Sequence, residues 1–200
     1  MPESTATARQ NLRFVESEAP IREPVTKFGG QPVWLDAPAW PLSASQGRPM
    51  RFLGQIRLPG EQVRLAYLFL TEDFSDDPDD FVDNTFEPEG GENALFAQPG
   101  EPADFYQVAG IAKGPTFGPD HAVELTPFDG ETSVDDFASR LFGEPRWLQD
   151  EEAPDGPFRF LLQLDSADDL PFEVNFGDAG VGYGFLDEGS GQGRFLWQCG

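Results

Sequence analysis

The chain of 200 residues carries 36 acidic and 13 basic side chains, a formal net charge of −23. That charge repels nucleic-acid phosphate and an anionic membrane surface, so neither is an expected partner, whereas a basic protein is. One cysteine, Cys199, and one histidine, His121, exclude an intrachain disulfide and any multi-cysteine or multi-histidine metal site.

Aromatic residues supply the core: 19 Phe, 4 Trp and 3 Tyr within a hydrophobic fraction of 38%. A chain of this length buries roughly 70% of its unfolded surface. The 22 Gly and 19 Pro disfavour long helices and favour many short strands joined by turns. No apolar run of about 18 residues and no apolar signal region is present, so a cytoplasmic location is expected. No cofactor motif is present, and no cofactor is expected.

Residues 1–11 are small and polar and read as a flexible tail, although Asn11–Val15 has strand character. Ile21–Thr26 is extended. Gly29-Gly30 makes a turn that needs positive φ or close backbone approach, and Trp34 follows as a core anchor. Asp36–Pro49 reads as a loop. Arg51–Leu58 is a strand whose alternation places Met50, Phe52, Gly54 and Ile56 on one face and Arg51, Leu53 and Gln55 on the other. Leu65–Thr71, apolar on both faces, is a central strand in a hairpin with it.

The stretch Glu72–Glu92 holds ten carboxylates and no base, and reads as an exposed loop. Ala94–Ala97, Phe105–Ile111 and Ala122–Leu125 are short strand candidates. Ser133–Leu141 is a helix candidate: Thr132 or Ser133 caps it, and Val134, Phe137 and Leu141 share one side. Phe158–Asp165, Phe172–Phe176, Val181–Leu186 and Arg194–Trp197 complete the strands, with a turn at Gly177–Gly180.

One phrase occurs twice. Pro49-Met50-Arg51-Phe52-Leu53-Gly54-Gln55-Ile56 returns as Pro157-Phe158-Arg159-Phe160-Leu161-Leu162-Gln163-Leu164. Trp34-Leu35 precedes the first copy and Trp147-Leu148 the second, while Tyr67-Leu68-Phe69-Leu70 and Tyr183-Gly184-Phe185-Leu186 follow them. The expected fold is therefore mostly β, a β-rich α+β class with one short helix. It is a single domain over 12–200 of two pseudo-twofold halves, about 27–112 and about 132–200.

Gly29-Gly30-Gln31-Pro32-Val33-Trp34 and Phe52-Leu53-Gly54-Gln55-Ile56 resemble the opening of the YwqG-like bacterial family of unknown function. Gly143-Glu144-Pro145, Leu162-Gln163-Leu164-Asp165, Gly177-Asp178-Ala179-Gly180 and the Trp197/Cys199 ending resemble its second half. Phe176 stands where that family has Trp. The resemblance implies a mostly β, internally repeated fold, and members placed beside toxin genes imply an immunity or partner-binding role. The Gly-Gly-x-Pro-x-Trp-Leu opening also resembles the programmed cell death protein 2 family, whose members act as chaperones for a ribosomal protein. This chain lacks that family's cysteine pairs.

Four polar residues are candidates for a ligand groove between the halves: Arg51, Gln55, Arg159 and Gln163. Two guanidinium groups there suit an anionic ligand. The structural alternative is that the glutamines satisfy backbone groups and the arginines pair with nearby carboxylates. Asp76, Asp77, Asp79, Asp80 and Asp83 are the partner-binding candidates, with no metal assigned because Pro78 breaks a calcium-loop pattern. Asp120-His121 is the one acid/base pair that includes histidine, in a Pro/Gly-rich loop without a catalytic pattern. No catalytic constellation is assigned. The leading expectation is a non-enzymatic interaction module for a basic partner; the alternative is a small-ligand protein or enzyme with a cleft between the halves.

Overall fold

A computed structural model describes residues 8–71, 82, 84–130, 137–167 and 170–200. Among them are twelve strands and no helix: β1 (Gln10–Glu16), β2 (Lys27–Phe28), β3 (Trp40–Leu42), β4 (Arg51–Arg57), β5 (Leu65–Leu70), β6 (Asn93–Gln98), β7 (Gln107–Ala109), β8 (His121–Pro127), β9 (Arg140–Leu141), β10 (Arg159–Asp165), β11 (Val181–Leu186) and β12 (Gly193–Gln198). The protein is mostly β, as its composition implies. β1 begins at Gln10, so the expected tail ends earlier than residue 11.

Ten strands form one antiparallel sheet in the order β12-β11-β10-β9-β1-β8-β2-β4-β5-β6, and β3 and β7 form a small second sheet. The large sheet nearly closes on itself. Its two outer edges meet where Phe96 bridges to Gln192 and the Ala97 N–H donates to the Gly191 carbonyl at 2.7 Å. β5 and β11, each second from an edge, are buried at every residue, which explains their apolar sequences.

One hydrophobic cluster, including Phe28, Leu53, Ile56, Leu68, Leu162 and Phe195, fills the inner side of the sheet. Two further clusters lie on the outer side. Trp34, Trp40, Tyr67 and Phe69 belong to one, and Trp147, Tyr183 and Phe185 to the other. Trp34 stacks on Phe69 at 6.1 Å and 14°, and Trp147 stacks on Phe185 at 5.9 Å and 14°.

The helix expected over Ser133–Leu141 is not formed in its described part. Phe137–Ser139 have no regular structure, and Arg140–Leu141 are β9, paired with β1 and β10. Phe137 packs in the outer cluster with Trp147, whereas Leu141 enters the inner core. The helical spacing that put them on one side is overridden by strand pairing that sends them to opposite sides. Ser133–Asp136 lie outside the described residues. Phe172–Phe176 is not a strand either: Phe172 stacks on Phe117 at 5.8 Å and Phe176 is buried in the inner core. Trp40–Leu42, read as loop, forms β3.

The turn at Gly29-Gly30 does take positive φ, 67° and 59°. A Cβ on Gly30 would lie 2.1 Å from the Asp120 carboxyl carbon, so only glycine fits there. Phe142 and Gly143 repeat the conformation at 59° and 75°. The Gly29 N–H donates to the Leu53 carbonyl at 2.8 Å, and the Phe142 N–H donates to the Leu161 carbonyl at 2.9 Å. Phe142 holds this left-handed conformation at a cost of about 1–2 kcal/mol.

Candidate functional site

The four groove candidates do not converge. β4 and β10 are separated in the sheet by β9, β1, β8 and β2. Within β4 the expected alternation fails, because a bulge falls between Phe52 and Gly54: Phe52 pairs with Phe69, and Gly54 with Leu68. Leu53 is the extra residue, and it and Gly54 both face the inner core, where a Cβ on Gly54 would meet the Phe28 ring at 2.7 Å. One added residue flips the face of everything beyond it. Arg51, paired with Leu70, and Gln55, paired with Tyr67, therefore occupy opposite faces. β10 carries the same bulge between Phe160 and Leu162, and separates Arg159 from Gln163 in the same way.

Both glutamines are fully buried and spend their amides on backbone. Gln55 Nε2 donates to the Val25 carbonyl at 2.9 Å, and its Oε1 accepts from the Val33 N–H at 2.9 Å. Gln163 Nε2 donates to the Phe137 carbonyl at 2.8 Å, while its Oε1 accepts from the Arg146 N–H and Arg140 Nη2, each at 2.8 Å. Arg51 Nη1 donates to the Thr116 carbonyl at 3.0 Å, and Arg159 is exposed at the start of β10. The glutamines are thus clamps for the segments that carry Trp34 and Trp147.

Two clamps were missed in the sequence. Gln98 Oε1 accepts from the Leu35 and Asp36 N–H groups at 3.1 Å, and Gln198 Oε1 accepts from the Gln149 N–H at 3.0 Å. Each is the last residue of the strand after the Tyr-bearing one, so extending the repeat to β6 and β12 would have found them. The tyrosines complete the clamps. Tyr67 Oη donates to the Val33 carbonyl and Tyr183 Oη to the Arg146 carbonyl, both at 2.8 Å. Burial pushes the Tyr183 phenol up to about 12, and pushes Tyr67 and Tyr106 above the usual phenol range as well.

Asp120 and His121 do not act as a pair. Asp120 Oδ1 accepts from the fully buried Lys27 Nζ, which also donates to the Gln31 carbonyl at 2.6 Å. His121 Nδ1 lies 3.0 Å from the Pro119 carbonyl, and its ring packs edge-on to Phe172. Glu92, read as part of an exposed acidic loop, is buried. It accepts from Ser43 Oγ at 2.6 Å and the Ser45 N–H at 2.8 Å. The five aspartates proposed for partner binding, Asp76, Asp77, Asp79, Asp80 and Asp83, lie outside the described residues.

A cavity of about 210 Å³ lies at the ends of β5 and β12. Leu70, Thr71, Phe117, Val174, Phe176 and Trp197 line it, with Val82, Thr85, Asn175 and Gly177. None of the groove candidates reaches it.

The chain matches no family model, no curated protein and no solved structure. The chemistry of the site therefore rests on its own residues. Among the described residues, no group of three or more His, Cys, Asp or Glu side chains is placed to hold a metal ion. No described helix is long and apolar enough to cross a membrane.

The charge distribution is lopsided. The buried charged residues among those described are Lys27, Arg140, Glu92 and Asp120, two cations and two carboxylates. They cancel, so the whole excess of −23 belongs to the remainder of the chain. Asp150, Glu151, Glu152 and Asp155 stand exposed on the loop before β10. That loop is tied down by Gln198 Nε2, which donates to the Asp150 carbonyl at 2.8 Å.

Proposed function

We propose that the chain is a non-enzymatic, cytoplasmic protein-interaction module of YwqG-like type, immunity- or chaperone-like, whose partner is a basic protein. The observation that carries this reading is the uncompensated charge outside the core: among the described residues, burial removes as many cations as carboxylates. A field of that sign steers a basic partner and rejects acidic ones. The exposed loop acids from Asp150 to Asp155 and the acidic stretch Asp76–Asp83 are the contact candidates. The groove alternative loses its footing because its glutamines are spent on backbone and its arginines stand on separated strands.

The same reading takes the sheet as two pseudo-twofold halves. Its support is the recurrence of the bulge, the Gln–Tyr clamp, the stacked Trp and the pair of left-handed residues at corresponding places.

Affinity capture at about 20 mM salt, with a charge-matched acidic protein as control, tests the function. Enrichment of one basic protein, whose affinity falls steeply with salt, is expected. Recovery of the same proteins by chain and control alike would refute it.

A further inference from the structure

We infer that β1 leaves its own sheet and takes the same place in a second copy of the chain, giving a reciprocally strand-exchanged dimer. The inference does not depend on the partner proposed above.

The hydrogen bonds of β1 carry it. Its ladders run to β8 along the whole strand and to β9 over Gln10 and Asn11. Beyond them, the Leu12 N–H donates to the Ser139 carbonyl at 3.2 Å, the Ser17 N–H to the Asp120 carbonyl at 2.8 Å, and the Phe128 N–H to the Arg9 carbonyl at 3.2 Å. All these partners lie within residues 120–141; among the described residues, no backbone bond of β1 goes to β2 through β7. The link 17–26, mostly exposed over 18–25 and carrying Pro20 and Pro24, joins β1 to that intervening part. β1 is also the one described strand of the large sheet without a buried residue. Such a segment opens at a lower free-energy cost than the core strands.

A second copy fits the vacated place by identity. Its β1 brings the same register, the Arg13–Glu124 ion pair at 2.9 Å and Arg9 over the Phe128 ring at 3.8 Å. It also seats Leu12 and Phe14 on the inner core. Charge favours the entry, because Arg9 and Arg13 outnumber Glu16 in a chain whose net charge is −23. Exchange conserves every contact except those of the link. The closed monomer therefore prevails only through the effective concentration of the tethered strand, on the order of 1 mM for a flexible link.

The test is refolding of the intact chain from urea at about 1 mM and at about 1 µM, in about 0.5 M sodium chloride to screen repulsion between copies. Gel filtration with light scattering reads the outcome. Roughly half of the chain should be dimeric at the higher concentration and almost none at the lower. Deleting Glu18–Pro24 leaves Ser17, Val25 and Thr26 to cross β8, with a reach of about 14 Å and no slack to arch over it. The dimer should then be the main species at about 0.1 mM, where the wild type is mostly monomeric. Val15 and Ala122 are register partners, and antiparallel neighbours lie within disulfide range. Chains with Val15→Cys and chains with Ala122→Cys, each also Cys199→Ser, are refolded together and oxidised. Peptide mapping should find a disulfide joining position 15 of one chain to position 122 of the other. A wild type that stays monomeric at the higher concentration would overturn the proposal. So would a dimer without that bond, or a folded deletion variant no more dimeric than the wild type. If the deletion variant does not fold, the wild type and the cysteine pair decide the matter by themselves.

Discussion

Gln55 and Gln163 show what a buried amide does in this protein. Each sits at 0% exposure, and each satisfies backbone groups of a segment that has no ladder of its own. Leaving such groups unpaired costs about 1–3 kcal/mol apiece. The phenols of Tyr67 and Tyr183 perform the same service, and that makes them sensitive to alkali. Their folded-state acidities lie above the unfolded value, because burial disfavours the phenolate. The stability they contribute is fully present below about pH 10, the unfolded value. It is lost as pH rises through the folded value, about 12 for Tyr183. All three tyrosines are shifted upward. Near-ultraviolet phenolate absorbance should therefore stay flat through about pH 10.5 and then rise together with the loss of β circular dichroism. Phenolate appearing near pH 10 in a still-folded chain would contradict the clamp.

At the level of elements, the two bulged strands solve one packing problem in mirrored ways. Gly54 pairs with Leu68 on β4 and β5, whereas Leu162 pairs with Gly184 on β10 and β11. One leucine and one glycine share each position, with the partners exchanged. A Cβ on Gly184 would lie 2.0 Å from Leu162 Cδ2. Gly184→Ala should thus destabilise by about 1–3 kcal/mol through overpacking, and Leu162→Ala by about 2–5 kcal/mol through a cavity. In the double variant the new methyl has room, so its cost should fall below the sum by at least about 1 kcal/mol in urea unfolding. Strict additivity would show that the two side chains do not compete for the space.

These strands were legible because apolar runs such as Leu65–Leu70 and Val181–Leu186 are bounded by turn residues. The bulges were not. Strict alternation assumes that no residue is extra, and the insertion of Leu53 or Leu161 changes no local propensity. That single assumption put Arg51 and Gln55 on one face, whereas the bulge sends them to opposite faces. The helix misreading has a related cause: Val134, Phe137 and Leu141 fit a helical period, but the partners that make Arg140–Leu141 a strand come from β1 and β10, remote in sequence. The cavity was hidden for the same reason, since its walls come from separated stretches of chain.

Over the whole molecule, a net charge of −23 sets self-repulsion against compaction. The described ion pairs include Lys27–Asp120, Arg13–Glu124 and Arg194–Glu89, against a net charge of −23. Salt screens such repulsion over about 10 Å at 0.1 M. Raising sodium chloride from about 20 mM to about 0.5 M should lift the midpoint of thermal unfolding by several degrees in calorimetry. A midpoint that falls would mean that the ion pairs outweigh the repulsion. Folding that requires molar salt would mark the acidity as adaptation to a saline environment.

The place of β1 in the sheet sets a schedule for the nascent chain. The strand nearest the N-terminus lies between β8 and β9, and its register partners run from His121 to Leu141. At a synthesis rate of about 5–20 residues per second, β1 waits on the order of ten seconds for those partners to be made. Leu12 and Phe14, which pack on the inner core once the sheet is complete, stay without it meanwhile. β2 waits too, because β8 is its neighbour on one side. Sheet closure therefore waits until β12 has been made, and until then the unpaired β1 is open to aggregation and to capture by a holding chaperone.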